Sequence, residues 1–209
     1  MTYLQLVNSV LRRLREDEAS SIENSNDSYV KLIGEFVNDA RRIVEDAWDW
    51  SALRSTITVT TTDDVFSYSM TGTNNSFKIL DVINDTSNFF MRSASSSWMN
   101  NAYLVQEPTK GSPEYYSWNG VDANGNALVD LYPKPDKAYT LRFNIVDRAD
   151  PFALDADKLV VPSSPVVQYA VALASRERGE TGGTSAQELF SLADTTLADA
   201  VAFDAARFP

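Results

Sequence analysis

The stretch ALVDLYPKPDKAYTLRFNIV, residues 127–146, decides the β part of the predicted fold. Polar and apolar residues alternate on both sides of its central segment, Pro133-Lys134-Pro135-Asp136. Alternation with a period of two is typical of strands that bury one face, and proline with aspartate favours a turn between them. The stretch therefore predicts a β-hairpin, whose first strand ends at Tyr132 and whose second strand runs from Ala138 to Val146.

Helical periodicity lies on both sides of this hairpin, at some distance along the chain. Apolar residues recur there every three or four positions, the spacing of an amphipathic helix. Thr2 and Gln5 have the spacing of a capping box at the first helix start. The predicted helices run over about residues 3–16, 27–50, 162–179 and 186–207. Residues 84–101 are rich in Ser and Asn and are expected to form a long loop, in which Phe89 to Arg92 is a candidate for a short strand.

This order of elements predicts an α+β fold. The N-terminal and C-terminal helix pairs, residues 1–54 and 150–209, are expected to join into one antiparallel four-helix bundle. Residues 55–149 are expected to form an antiparallel β domain inserted between the two pairs. Each helix carries an apolar stripe, and such a stripe needs a packing partner.

Composition excludes several classes of function. The chain of 209 residues has no cysteine and no histidine, which excludes disulfides, thiolate zinc sites and histidine-based catalytic triads. Its net charge of −11 disfavours sustained binding to nucleic-acid phosphates. No apolar run approaches the roughly 20 residues of a membrane span, and the N-terminus lacks the layout of a secretory signal. We therefore expect the chain in a cytoplasm.

Carboxylates remain as the main catalytic option. Asp63-Asp64 and the pair Asp155 and Asp157 come nearest to paired acids, which leaves a carboxylate-based cell-wall hydrolase open as an alternative. The run Asp122-x-Asn124-x-Asn126 resembles the start of a calcium loop, but its later positions do not fit, so a turn is the better prediction. We expect no catalytic residue, no cofactor and no metal. A monomeric assembly or binding protein is the second alternative.

Eight residues are candidate contacts with a partner or a neighbouring subunit. Three are basic residues near the end of the first helix, two are tryptophans at the end of the second, two lie in the predicted hairpin turn, and one is near the C-terminus. Helix-dipole complementation by the arginines and core packing by the tryptophans stay open as alternatives. The eight are Arg12, Arg13, Arg15, Trp48, Trp50, Lys134, Asp136 and Phe208.

Four segments, together with the order of elements, resemble the head-to-tail adaptor proteins of short-tailed bacteriophages, of the tail tubular protein A type. They are LQLVNSVLRRL (4–14), NDARRIVEDAWDWSALRSTITV (38–59), LVDLYPKPDKAYTLRFNIV (128–146) and PSSPVVQYAVALASRERGE (162–180). Residues 84–113 have no counterpart in this resemblance.

The resemblance implies a structural protein of the virion, assembled in the host cytoplasm, without cofactor or catalytic residues. It implies a ring of twelve copies between the portal protein and the tail nozzle, with the helical part toward the portal and the β part toward the nozzle. The ring would seal packaged DNA and line the ejection channel. Twelve copies at −11 each give −132, so DNA would pass a negative lumen without sequence-specific binding.

Overall fold

The computed structural model describes residues 1–71, 77–104, 108–179 and 184–207 of the chain. The protein divides into two compact units. The first, Met1–Leu53 with Ala149–Pro209, is helical, and the second, Arg54–Arg148, holds the β structure. The fold is α+β.

Five α-helices occur in the described residues. They are α1 (Tyr3–Arg13), α2 (Ser28–Ala47), α3 (Ser96–Leu104), α4 (Ser163–Arg178) and α5 (Thr184–Ala205). A short 3₁₀ turn, Ser51–Leu53, follows α2. None of the helices in the described ranges is long and apolar enough to cross a bilayer.

The ends of α1 follow from its sequence. The predicted capping box is confirmed, because Gln5 donates its backbone N–H to the Thr2 hydroxyl and its side chain accepts the Thr2 N–H. At the other end Arg15 adopts a left-handed conformation with φ 61°, and Glu16 N–H donates to Leu11 O at 3.0 Å. This is the Schellman arrangement that ends many helices, here with arginine at the position where glycine is usual.

The predicted antiparallel four-helix bundle is wrong. Helix α4 is the centre of the helical unit, since α1 and α2 pack against it and it buries residues on most of its surface. Helix α5 packs chiefly on α4, and among its described side chains only Ala193 and Asp204 are buried. The apolar stripe of α5 therefore does not complete a four-helix bundle. The helix that the sequence did not predict, α3, belongs to the β unit.

Eight strands form two four-stranded sheets in the described part of the β unit. One sheet has the order β1-β8-β3-β4 and the other the order β2-β7-β6-β5. The strands are β1 (Arg54–Thr60), β2 (Ser67–Ser69), β3 (Lys78–Asn84), β4 (Phe89–Phe90), β5 (Arg92–Ser93), β6 (Tyr115–Val121), β7 (Ala127–Tyr132) and β8 (Thr140–Val146).

The predicted β-hairpin is wrong, although both of its strands exist. Strand β7 pairs with β2 and β6, whereas β8 pairs with β1 and β3, so the chain changes sheets after Tyr132. Val129 and Leu131 of β7 are fully buried in one core with Leu141 and Phe143 of β8. Alternation correctly indicated that both segments are strands, but the strands lie in different sheets and contribute to one core from its two sides.

The loop expected over residues 84–101 is also wrong, because most of α3 lies there. The short strand considered at Phe89 to Arg92 corresponds to two shorter strands, β4 and β5. Met99 and Ala102 of α3 are buried, and the helix contacts β6. Packing against the sheet stabilises a helix whose Ser- and Asn-rich sequence has low intrinsic helix propensity.

Candidate functional site: assembly surfaces

The three arginines near the end of α1 are exposed. Arg12 Nη1 lies 2.8 Å from Glu18 Oε1 in an ion pair that is itself open to solvent. Arg13 and Arg15 form no ion pair with any other residue that the structure describes. The exposed ion pair of Arg12 contributes little to stability, so a partner could replace it at little cost. Arg13 and Arg15 are available to a partner without breaking an ion pair among the described residues.

The two tryptophans at the end of α2 occupy different environments. Trp50 is 1% exposed and donates its indole N–H to Val44 O at 2.7 Å, so it packs in the core of the helical unit. Trp48 is 38% exposed and donates its indole N–H to Asp204 Oδ2 at 3.2 Å. Of the two candidates, Trp48 alone presents an aromatic surface to solvent.

Asp204 links the end of α5 to the end of α2. Besides Trp48, it accepts hydrogen bonds from the backbone N–H of Ser51 at 3.0 Å and from the Ser51 hydroxyl at 2.6 Å. Burial alone would raise the pKa of this carboxyl, but the hydrogen bonds from Ser51 and Trp48 outweigh burial and leave the pKa below its ordinary value. The charged form of Asp204 therefore holds the exposed Trp48 in place.

Lys134 and Asp136 do not lie at the tip of a free hairpin. Lys134 Nζ lies 3.0 Å from Asp64 Oδ1, and Lys110 Nζ lies 2.7 Å from the same oxygen. Hydrogen bonds from the side chains of Lys110 and Lys134 lower the pKa of Asp64. Asp136 is exposed and accepts a hydrogen bond from the Tyr139 hydroxyl at 2.6 Å. Phe208, the remaining candidate, lies outside the described residues.

A row of aromatic rings in the β unit was missed by the sequence analysis. Ring centroids are 4.6 Å apart for Phe66 and Tyr103, 5.6 Å for Tyr103 and Tyr132, 5.3 Å for Tyr132 and Trp98, and 4.8 Å for Trp98 and Tyr115. Phe66 and Trp98 are exposed. The row joins α3 to β6 and β7, and two of its members lie on α3, which the sequence did not predict.

The carboxylates considered for catalysis have structural partners. Asp157 accepts two backbone hydrogen bonds, from Ala153 and Leu154, each at 2.8 Å, and these bonds lower its pKa. Asp155 accepts the backbone N–H of Ile22 at 2.8 Å, and its pKa is also lowered, because hydrogen bonds outweigh the effect of burial. A general acid needs a raised pKa, so the direction of both shifts argues against a hydrolase built on this pair.

Asp122 belongs to a turn. Its Oδ1 accepts the backbone N–H groups of Asn124 and Asn126, and its Oδ2 accepts the Ser69 hydroxyl at 2.7 Å. Hydrogen bonds from Asn126 and Ser69 lower its pKa to about 2. Within the described ranges, no group of three or more acidic side chains is placed to hold a metal ion.

The basic pair at residues 41 and 42 is divided between core and surface. Arg41 is buried, with Nε 2.6 Å from Glu45 Oε1 and Nη1 2.7 Å from Asp150 O, and its guanidinium lies over the Phe152 ring. Arg42 is exposed. Arg41 therefore stabilises the packing of α2 and is not accessible to phosphate groups.

Comparison with known proteins gives one family. The family model described as SU10 adaptor protein matches residues 1–208, which is nearly the whole chain. No curated protein matches the chain.

Proposed function

We propose that this chain, which belongs to the SU10 adaptor protein family, forms a ring between the portal protein and the tail nozzle of a phage. The ring holds twelve copies, seals the packaged DNA and lines the channel through which DNA is ejected. The match of the family model over residues 1–208 carries the proposal.

Family membership confirms the resemblance to phage head-to-tail adaptors. The chain is a structural adaptor protein of a phage, and it belongs at the junction of head and tail in the virion. Adaptors of this kind are structural and not catalytic, in keeping with the lowered pKa values of Asp155 and Asp157. The ring, its copy number and its contacts with portal and nozzle are the proposed part.

Exposed apolar and aromatic side chains on each of the two units support contacts with other copies or with partner proteins. The helical unit leaves the α5 side chains Leu192 and Phe203 50% and 68% exposed, and the β unit leaves Phe66 and Trp98 exposed. Large apolar and aromatic side chains are enriched in the central anchors of protein interfaces. The net charge of −11 per chain supports a lumen that does not retain DNA.

Phage particles assembled without this chain test the proposal. Such particles are expected to package DNA, to lose it afterwards and to lack tails, and the wild-type gene supplied in trans is expected to restore both. DNA retention is measured by nuclease sensitivity and tail attachment by negative-stain imaging. Particles that keep their DNA and carry tails without the chain would contradict the proposal.

A further inference from the structure

Helix α5 presents a stripe of exposed side chains along its outer face. Its members are spaced three or four residues apart, so they share one side of the helix over about 22 Å. Two are acidic, two are large and apolar, and α5 contains no lysine or arginine that could neutralise the acids. This α5 stripe consists of Glu188, Leu192, Thr195, Asp199 and Phe203.

A second surface has complementary chemistry and includes residues at both ends of α1. Two of its members, Arg13 and Arg15, lie at the end of the helix, and the nearby Glu16 and Glu18 already pair with Arg178 and Arg12. The other members lie in the extended segment beside the start of α1, where Leu159 N–H donates to Met1 O at 3.0 Å. This α1 surface consists of Arg13, Arg15, Leu154, Lys158 and Val160, all exposed.

The two surfaces belong to different elements of the helical unit. Helix α1 packs against α2 and α4, whereas the main packing partner of α5 is α4. A contact between two different surfaces of identical subunits is head-to-tail, and it generates a ring when the rotation between subunits closes.

The acidic residues of the α5 stripe and the basic residues of the α1 surface also follow the same order along the helical unit. Glu16, after the end of α1, pairs with Arg178 at the end of α4, and Arg176 lies over the ring of Phe190 near the start of α5. Arg13 and Glu188 are therefore at the same end of the unit. Lys158 is paired with Thr2 in a β-bridge at the other end of α1, on the side toward which α5 continues to Asp199.

We propose that the α5 stripe of one copy docks on the α1 surface of a neighbouring copy. Glu188 then faces Arg13 and Arg15, and Asp199 faces Lys158. Leu192 is buried between these two charged contacts, and Phe203 is buried beyond Asp199. The inference rests on the proposed ring and specifies the interface that builds it. Buried apolar area supplies the affinity, and the opposite charges fix the pairing of the two surfaces.

Charge reversal tests this interface directly. Arg13→Glu and Glu188→Lys each place like charges opposite one another and are expected to weaken ring assembly about tenfold or more. An equimolar mixture of the two variants is expected to assemble again, because copies that alternate around an even-numbered ring restore opposite charges at every contact. Assembly is measured by mass photometry and sedimentation velocity, with and without the portal ring of the same phage.

Lys31→Glu and Asp39→Lys are the matched controls, since both residues are exposed on α2 and lie outside the two surfaces. Circular dichroism shows whether each variant folds. Normal assembly of Arg13→Glu or Glu188→Lys alone, or failure of their mixture to assemble, would overturn the interface while leaving the proposed function intact. Wild-type chain that stays monomeric on a portal ring would instead contradict the proposed function.

Discussion

Ser51 donates its hydroxyl to the Asp204 carboxylate, with 2.6 Å between Ser51 Oγ and Asp204 Oδ1. The two residues are 153 positions apart, so this bond ties the turn after α2 to the last turn of α5. Because α5 packs chiefly on α4, the Asp204 contacts are a second anchor for the helix that carries the α5 stripe. Asp204 therefore stabilises the fold and also holds in place the helix that is proposed to mediate assembly.

Asp204→Asn is expected to lower the free energy of unfolding by about 1.5–3 kcal/mol, the range for a hydrogen-bonded charged group that loses its charge. Asn keeps the size of the side chain but has one acceptor oxygen, so the groups of Ser51 and Trp48 cannot all be satisfied. Urea unfolding at neutral pH measures the change. Asp199→Asn, an exposed acid on the same helix, is the matched control and should leave stability nearly unchanged.

The contribution of Asp204 should depend on pH in a defined direction. Its pKa in the folded protein is lowered, so its stabilising effect is fully present above the pKa of the unfolded chain, about 4, and is lost as pH falls through the folded value. The difference in unfolding free energy between wild type and Asp204→Asn should therefore be constant from pH 7 to about 5 and shrink below about pH 4. A difference that grows toward low pH would refute the assignment of a charged Asp204.

Arg15→Gly is expected to raise the free energy of unfolding by about 0.5–1 kcal/mol, because Arg15 has a φ of 61° and glycine adopts this conformation without steric cost. Arg13→Gly, two residues earlier and inside α1, should instead lower it by a similar amount. Thermal and urea unfolding of both variants provide the comparison. If both substitutions are destabilising, the left-handed end of α1 is incorrect.

Engineered cysteines can distinguish two sheets from a hairpin, and the chain has no cysteine of its own. Thr58 is paired with Arg142 on β1 and β8, so Thr58→Cys with Arg142→Cys is expected to form a disulfide under mild oxidation. A hairpin closed between Tyr132 and Ala138 would place Leu128 opposite Arg142 instead. Leu128→Cys with Arg142→Cys is the matched control and should stay reduced, as judged by gel mobility and thiol titration.

Periodicity and caps predicted the parts of the fold that local sequence controls. Helix α1 was predicted because Thr2 and Gln5 form a capping box, and β7 and β8 were predicted as strands from the alternation within residues 127–146. Helix α3 was missed because its Ser- and Asn-rich sequence has little intrinsic preference for a helix. It forms through contacts of Met99 and Ala102 with residues distant in sequence, which a local pattern does not contain.

The sequence also could not determine which strands pair with one another or which side chains of a helix end are buried. Alternation identified β7 and β8 as strands but not which strands lie beside them, so a proline-bounded connection between two sheets resembled a hairpin turn. Trp48 and Trp50 are two positions apart and are both aromatic, yet Trp50 is buried and Trp48 is exposed, a difference that tertiary packing decides. For the same reason the aromatic row from Phe66 to Tyr115, in which Phe66 and Trp98 are exposed, became visible only in the folded chain.

Electron cryomicroscopy of the purified chain mixed with the portal ring of its phage is the decisive test of the proposed adaptor ring. We expect twelve copies seated on the portal, with a continuous central channel and contacts between the α5 stripe of each copy and the α1 surface of the next. Portal rings that remain bare at saturating concentrations of folded chain would contradict the adaptor role.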